Sequence, residues 1–370
     1  MRKLRIGVVG IGKISGVYLE NLTGRFSDFV TVVALADHSS ARAGQAAERY
    51  GIPRVLTVSE LMKCPDLDMV LILTRPDSHY ELCRDALEEG KHVYLEKPLS
   101  MHCREAEELL KIAAARGLRI GSAPDTFLGA GLQTCRKLID DGWIGAPIGC
   151  TAFMMNHGPE HWHPGPEFLY KAGAGPMFDV GPYYLTALVA LIGPVIRVQG
   201  MAKRGFDTRI IGSGPRKGKI FNVEVPTYVA GTMEFENGAI GTIVTSFDVW
   251  QHSLPFIEIY GTEGSLRVPN PNTFGGPVSV SRGANGKGEK WTEIPLSFPY
   301  RENCRGLGVA ELADSILAGR AHRASGELAL HVLELMHGFH IAAEAAAAYR
   351  VENHCIRPQK MNPGGLKIEI

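Results

Sequence analysis

The stretch Leu4-Arg5-Ile6-Gly7-Val8-Val9-Gly10-Ile11-Gly12-Lys13-Ile14-Ser15-Gly16 decides the fold of the N-terminal third. Its apolar run predicts a strand over Leu4–Val9, and the pattern after it predicts a helix over Gly16–Thr23. Between them stands G-x-G-x-x-S. The first glycine allows the tight turn, the second lets backbone approach a pyrophosphate, and the third slot needs a small residue where helix meets strand. Serine departs from the usual glycine or alanine there but is small enough. The helix start then offers free N–H groups and a positive dipole end to phosphates. Further strands are expected at Val30–Ala36, Met69–Leu73, His92–Leu95 and Leu118–Gly121, alternating with helices at Ser40–Tyr50, Ser78–Glu89 and Cys103–Arg116. The strand runs are almost wholly apolar, as when helices cover both sheet faces. Alternation of this kind means a doubly wound parallel sheet, a Rossmann domain.

The second strand ends in Asp37. A carboxylate there accepts hydrogen bonds from ribose hydroxyls and repels a 2′-phosphate, which favours NAD, although Ser39 and Arg42 leave NADP open. A helix N-cap is the structural alternative for Asp37. The third strand leads into Thr74-Arg75-Pro76-Asp77-Ser78-His79, where strand ends line the cofactor crevice. The next ends Val93-Tyr94-Leu95-Glu96-Lys97-Pro98, which puts a lysine where the nicotinamide would lie. The expected cofactor contacts are Gly10, Ile11, Gly12, Lys13, Ile14, Ser15, Asp37, His38, Arg42, Thr74, Arg75, Pro76, His79, Glu96, Lys97 and Asp125.

After Pro124 the texture changes. A helix is expected over Gly131–Asp140, a long strand over Gly149–Met155 and a helix from Pro176 to Ile192. Antiparallel-type strands follow at Val195–Ala202, Thr227–Phe235, Ile240–Phe247, Phe256–Tyr260 and Ser265–Val268, with Glu236-Asn237-Gly238 as a hairpin turn. Gly275–Gly288 reads as a Gly/Ser-rich loop, and helices over Gly306–Ala318 and Glu327–Tyr349 close the chain. This predicts an α/β Rossmann domain over residues 1–124, an α+β substrate and oligomerisation domain with a large, mostly antiparallel open sheet over 125–350, and a tail over 351–370.

Net charge is zero, with 39 basic and 39 acidic residues, so neither nucleic acid nor an anionic membrane is an expected partner; a small molecule is. The cysteines, Cys64, Cys83, Cys103, Cys135, Cys150, Cys304 and Cys355, are odd in number and make no C-x-x-C pair. Reduced thiols in a cytoplasmic protein are the simple reading. No run approaches the ~20 apolar residues of a membrane span, and the short apolar run Leu4–Val9 leads to the expectation of no signal h-region.

Gly10–Ser15, Asp37 and Glu96-Lys97-Pro98, with Ala86–Val93 and Gly261-Thr262-Glu263-Gly264-Ser265-Leu266, resemble the glucose–fructose oxidoreductase, inositol dehydrogenase and rhizopine-catabolism (Gfo/Idh/MocA) family. The resemblance runs nearly to Tyr349. It implies NAD or NADP as cofactor, a sugar, inositol or related alcohol as substrate, and dimers or tetramers. It also implies a catalytic set of the Glu-Lys-Pro lysine and an Asp-x-x-x-His on a later helix. Here these map to Lys97 and Asp179, with Tyr183 in the histidine position, a departure that some family members share.

Physics supports the trio as catalytic residues. Asp179 and Tyr183 are spaced i, i+4, one face of a continuous helix. A tyrosine of pKa ~10 is a poor base at neutral pH. An ammonium about 4 Å away is worth about 4 kcal/mol at an effective dielectric near 20, roughly three pKa units before desolvation opposes it. Tyr183 is thus expected to exchange the proton, Lys97 to tune it and bind the reacting oxygen, and Asp179 to orient substrate; Lys97 as the proton carrier is the close alternative. The cluster Asn156-His157-Gly158-Pro159-Glu160-His161-Trp162-His163 adds His157, Trp162 and His163 as substrate contacts, with Thr126. Loop packing is the rival reading; a metal site through His157, His161 and His163 is disfavoured by the Gly-Pro break, and no metal is expected. Two other classes stay open: a dinucleotide-binding sensor or scaffold without turnover, and an imine or C=C reductase.

Overall fold

The computed structural model describes residues 2–284 and 287–366. In chain order the first elements are β1 (Leu4–Val9), α1 (Ser15–Thr23), β2 (Val30–Ala36), α2 (Ser40–Tyr50), α3 (Val58–Lys63), β3 (Met69–Ile72), α4 (His79–Glu88), β4 (His92–Leu95), α5 (Cys103–Ala115) and β5 (Ile120–Ser122). The five strands form a parallel sheet in the order β2-β1-β3-β4-β5. All four residues of β3 are buried, as continuous apolar runs covered on both faces require. The strand order reverses between β1 and β3, and ligands of such sheets bind outside the carboxyl ends of the strands at that switch. The short helix α3 lies outside the expected set. Its signal was in the sequence: Thr57 and Glu60 form a reciprocal capping box.

The remaining elements are α6 (Ala130–Asp140), β6 (Pro147–Met155), α7 (Pro176–Asp179), α8 (Gly181–Leu191), β7 (Val195–Lys203), β8 (Thr208–Ile210), β9 (Ile220–Asn222), β10 (Tyr228–Phe235), β11 (Ile240–Ser246), β12 (Ile257–Gly261), β13 (Gly264–Val268), β14 (Val278–Ala284), β15 (Lys287–Gly288), β16 (Thr292–Ile294), α9 (Leu307–Leu317), α10 (Gly326–Ala345) and β17 (Tyr349–Arg350). A ten-stranded sheet runs β15-β14-β13-β12-β6-β11-β10-β7-β17, with β16 paired to β14. Among the described residues of this sheet, only β6 and β11 pair in parallel; the other pairs are antiparallel. The β10–β11 hairpin turns at Gly238, whose φ is 84°.

Three expectations change. The Gly/Ser-rich stretch 275–288 is strand β14 returning through β15, because β13 and β16 supply pairing partners that override weak local propensity; residues 285 and 286 fall outside the described residues. The last helix stops at Ala345, not Tyr349. Ala346 takes a φ of 49°, Tyr349 and Arg350 pair with β7, and the Tyr349 hydroxyl donates to Glu334. Sheet pairing and a buried carboxylate outweigh the helix propensity of the Ala-rich run. The helix expected from Pro176 to Ile192 is two helices broken at Val180, since Pro182 offers no N–H to carry the ladder through.

Among the described residues, the chain forms two compact units, one from residues 2–129, 298–333 and 358–366, the other from 130–297 and 334–357. In the first unit Ser325 bridges to Gly121 and the Ala324 carbonyl accepts from Ser122, so the late segment covers the open edge of β5. Glu311 of α9, fully buried, accepts from Arg320 and Arg323, and Arg323 reaches the Gln359 and Lys360 carbonyls, which ties down the end of the described tail; residues 367–370 lie outside it. No helix among the described residues is long and apolar enough to cross a membrane.

Candidate active site

The glycine turn closes as its spacing demands. Gly10 has a φ of 96°, and a Cβ on it would stand 2.8 Å from the Leu73 carbonyl carbon and 2.9 Å from the Thr74 nitrogen. The ends of β1 and β3 therefore touch at the switch point, and only glycine allows it. A Cβ on Gly12 would meet nothing within 4 Å, so its backbone is bare on that side. Ser15 fits its slot buried, its hydroxyl donating to the Gly12 carbonyl at 2.8 Å. No acidic residue sits in the first turn of α1 to cancel its positive end. Lys13 is exposed and Ile14 half-buried beside it. These features fit the pyrophosphate of a dinucleotide.

Asp37 directly follows β2, its side chain 4% exposed. Its carboxylate accepts from the Ile11 N–H (2.7 Å), the Ser39 N–H (2.8 Å) and Arg42 Nη2 (2.9 Å). Burial opposes the charge, but the Ser39 and Ile11 N–H groups and Arg42 outweigh it and hold the carboxyl below its ordinary pKa. Ser39 is the N-cap of α2. Asp37 instead ties β2 to the glycine turn. His38 is exposed and 3.3 Å from Asp37.

Along the β3 end, Arg75 and Pro76 lead into α4, and Ser78 donates to Thr74 at 2.8 Å. His79 is completely buried: Nδ1 stands 2.7 Å from the Pro98 carbonyl and Nε2 3.2 Å from the Thr74 carbonyl. Lys97 follows β4, half-buried. Glu96, buried, takes the Tyr18 hydroxyl on Oε1 at 2.8 Å and the Lys97 N–H on Oε2 at 3.2 Å.

Asp125 and Thr126 lie in the interior, each 1% exposed. Asp125 Oδ2 accepts from the Gly306 N–H (2.9 Å) and the Gly308 N–H (3.0 Å) and so caps α9. Burial pushes its pKa up to about 6, with Glu96 adding, against the Gly308 and Gly306 N–H groups and Arg305. The folded chain therefore holds this proton to higher pH than the unfolded chain. Its contribution to stability falls as pH rises through the window between about 4 and about 6, by about 3 kcal/mol in all. Asp125→Asn keeps an acceptor oxygen and removes the charge. Denaturant melts of the variant are expected to show stability raised by about 1 kcal/mol at neutral pH and a flatter decline across that window; an unaltered slope would refute the buried-carboxylate reading.

In the second unit, Asp179 closes α7 and Tyr183, 9% exposed, lies in the first turn of α8. The i, i+4 spacing thus spans a break, with Gly175 ahead of it at a φ of 90° against the Pro226 carbonyl. Beyond the parallel β6 and β11 the Asn156 carbonyl accepts from the Val249 N–H and the Asn156 N–H donates to the Ser246 carbonyl, which gathers the two following loops. Here Arg209, 5% exposed, donates to Glu160 at 2.9 Å and to Asp248, while Tyr170 donates to Glu160. His157 Nε2 accepts from Arg209 at 3.2 Å, and its ring stacks on Trp250 at 3.4 Å. Burial, then Arg209, lower the His157 pKa. Trp250 is itself 80% exposed and Trp162 52%. His163 packs edge-on between Trp162 and Phe168. Among the described residues no three His, Cys, Asp or Glu side chains gather as a metal site needs.

Residues 4–123 match the family described as "Oxidoreductase family, NAD-binding Rossmann fold", and residues 132–267 match the GFO/IDH/MocA C-terminal domain. The chain belongs to the Gfo/Idh/MocA oxidoreductase family. This family member is 28% identical over 273 residues to 1,5-anhydro-D-fructose reductase of Ensifer adhaerens, covering 72% of this chain and 75% of the relative. It is 27% identical over 290 residues to inositol 2-dehydrogenase 3 of Saccharopolyspora erythraea, covering 75% and 77%. It shares its fold with levoglucosan dehydrogenase solved in complex with NADH and L-sorbose, at a TM-score of 0.81, 18% identity and coverage of 95% and 99%. The oxidoreductase thus has an NAD(P)-binding Rossmann fold. Sequence reasoning missed Tyr18, Arg209 and Asp248. Tyr18 is one of several apolar-face residues of a helix, and an arginine in a three-residue strand carries no signal of its partners.

Proposed function

We propose that this oxidoreductase interconverts a secondary alcohol and a ketone on a cyclic sugar, inositol or glycoside, with NAD preferred. The observation that supports it most is the packing at the strand ends: the buried His79 ring lies between the Pro98 and Thr74 carbonyls and donates to Pro98, Thr74 abuts Gly10, and Lys97 precedes Pro98 on that frame. Gly10, Gly12 and the start of α1 would hold the pyrophosphate, and Asp37 the ribose hydroxyls. Bound nicotinamide supplies a hydride acceptor or donor. Lys97 binds the reacting oxygen and stabilises its charge. Tyr183 takes the hydroxyl proton in oxidation and returns it in reduction, and Asp179 accepts a hydrogen bond from a neighbouring hydroxyl. The row Met201, Ala230, Val244 and Phe153 leaves one face of the ten-stranded sheet partly uncovered, with Met201 81% exposed, which supports assembly of copies there.

The test is a panel: levoglucosan and myo-inositol with NAD or NADP, and 1,5-anhydro-D-fructose with the reduced forms, followed by nicotinamide absorbance. Turnover of at least one is expected. A protein that binds NADH yet turns over none of them is a sensor and not this enzyme. Asp37→Ala should shift the NADP-to-NAD ratio of kcat/KM upward by about tenfold or more, since one buried carboxylate facing a phosphate costs over 1.4 kcal/mol. An unmoved ratio removes Asp37 from cofactor choice.

A further inference from the structure

Two buried side chains with no part in the proposed chemistry grip the Glu96-Lys97-Pro98 turn from different helices. Tyr18 is completely buried on α1 and gives its hydroxyl proton to Glu96 Oε1. The other Glu96 oxygen accepts the Lys97 N–H. Burial raises the Tyr18 pKa well above normal, with the charges of Glu96 and Asp125 and the phenol of Tyr94 adding, so it stays a donor across the working pH range. His79 opens α4, and burial lowers its pKa despite the two carbonyls and the charges of Glu96 and Asp77. A neutral imidazole donates once, and the shorter contact, Nδ1 to the Pro98 carbonyl, takes that proton.

We propose that Tyr18 and His79 are positioning residues that fix Lys97 relative to the bound dinucleotide. This role rests on the reading of Lys97 as the group that holds the reacting oxygen. Ser15, at the phosphate-facing start of α1, and Tyr18 are three residues apart on one nine-residue helix. One rigid turn thus sets both the pyrophosphate cradle and, through Glu96, the lysine backbone. A buried hydroxyl-to-carboxylate bond is among the stronger neutral-to-charged contacts, and displacing a catalytic group by about 1 Å costs roughly a hundredfold in rate.

The variants are Tyr18→Phe, His79→Leu and His79→Asn, whose amide nitrogen can replace Nδ1, with Lys97→Ala as reference. NADH is the probe ligand, and the fastest substrate of the panel gives the rates. In Tyr18→Phe and His79→Leu, kcat should fall about 10- to 100-fold, the pH profile of kcat should move, and KM and the NADH Kd should stay within about threefold. His79→Asn should recover most of the loss. Without any substrate, hydrogen exchange at the Lys97 amide should quicken at least about tenfold in Tyr18→Phe, the loss of about 1.4 kcal/mol of protection. Wild-type kcat and amide protection in Tyr18→Phe, or losses that follow melting temperature with the pH profile unmoved, would overturn the proposal. Turnover by Lys97→Ala would instead overturn the reading of Lys97.

Discussion

Lys97→Ala is expected to lose at least about a thousandfold in kcat while its NADH affinity changes by less than about threefold. Removing one preorganised donor to a developing oxyanion costs about a hundred- to a thousandfold, and the proposed site gives Lys97 the reacting oxygen itself. Affinity for the dinucleotide rests elsewhere. The Gly10 turn, the bare Gly12 backbone and Asp37 keep their geometry without the lysine side chain, because the backbone N–H that Glu96 holds is still present. Lys97→Arg should fail as well, since a planar fork does not replace a compact ammonium. Steady-state rates beside NADH fluorescence titration decide the matter. An alanine variant within about tenfold of wild type would end the proposed role.

Tyr183→Phe is expected to cost about a hundredfold or more in kcat, the range for a single general acid–base group. The exchange keeps the ring, and Tyr183 is a buried residue of an entirely buried helix, so the melting temperature should hold. In the oxidation direction kcat/KM should rise with pH, because a proton leaves the substrate hydroxyl, and the variant should lose that limb. Retention of both rate and limb would hand the proton to Lys97.

The two halves of the chain differ in how far their sequence could be read. In the first unit the strands and the Gly10 turn follow from local pattern, because apolar runs covered on both faces and a helix-opening glycine turn are short-range signals. Asp37 was legible as the acid after the second strand, yet its bonds to Ile11 and Ser39 were not. His79 and Asp125 belonged to the expected cofactor set, and the structure places both in the interior, one on carbonyls and one on the α9 start. Asp125 finds that partner about 180 positions later, beyond any local pattern. In the second unit β14 exists because the flanking strands β13 and β16 pair with it, and β17 because the distant β7 does.

Alternation of apolar runs and helical periods, glycine placement and the Glu96-Lys97-Pro98 segment determined the Rossmann sheet and its dinucleotide edge, since each is a property of a few neighbouring residues. Tertiary structure alone decided where Asp125, His79 and Arg209 spend their polar groups and that Tyr349 and Arg350 leave the last helix to pair with β7. Those outcomes depend on which donors burial brings within reach, and burial is a property of the whole packed chain.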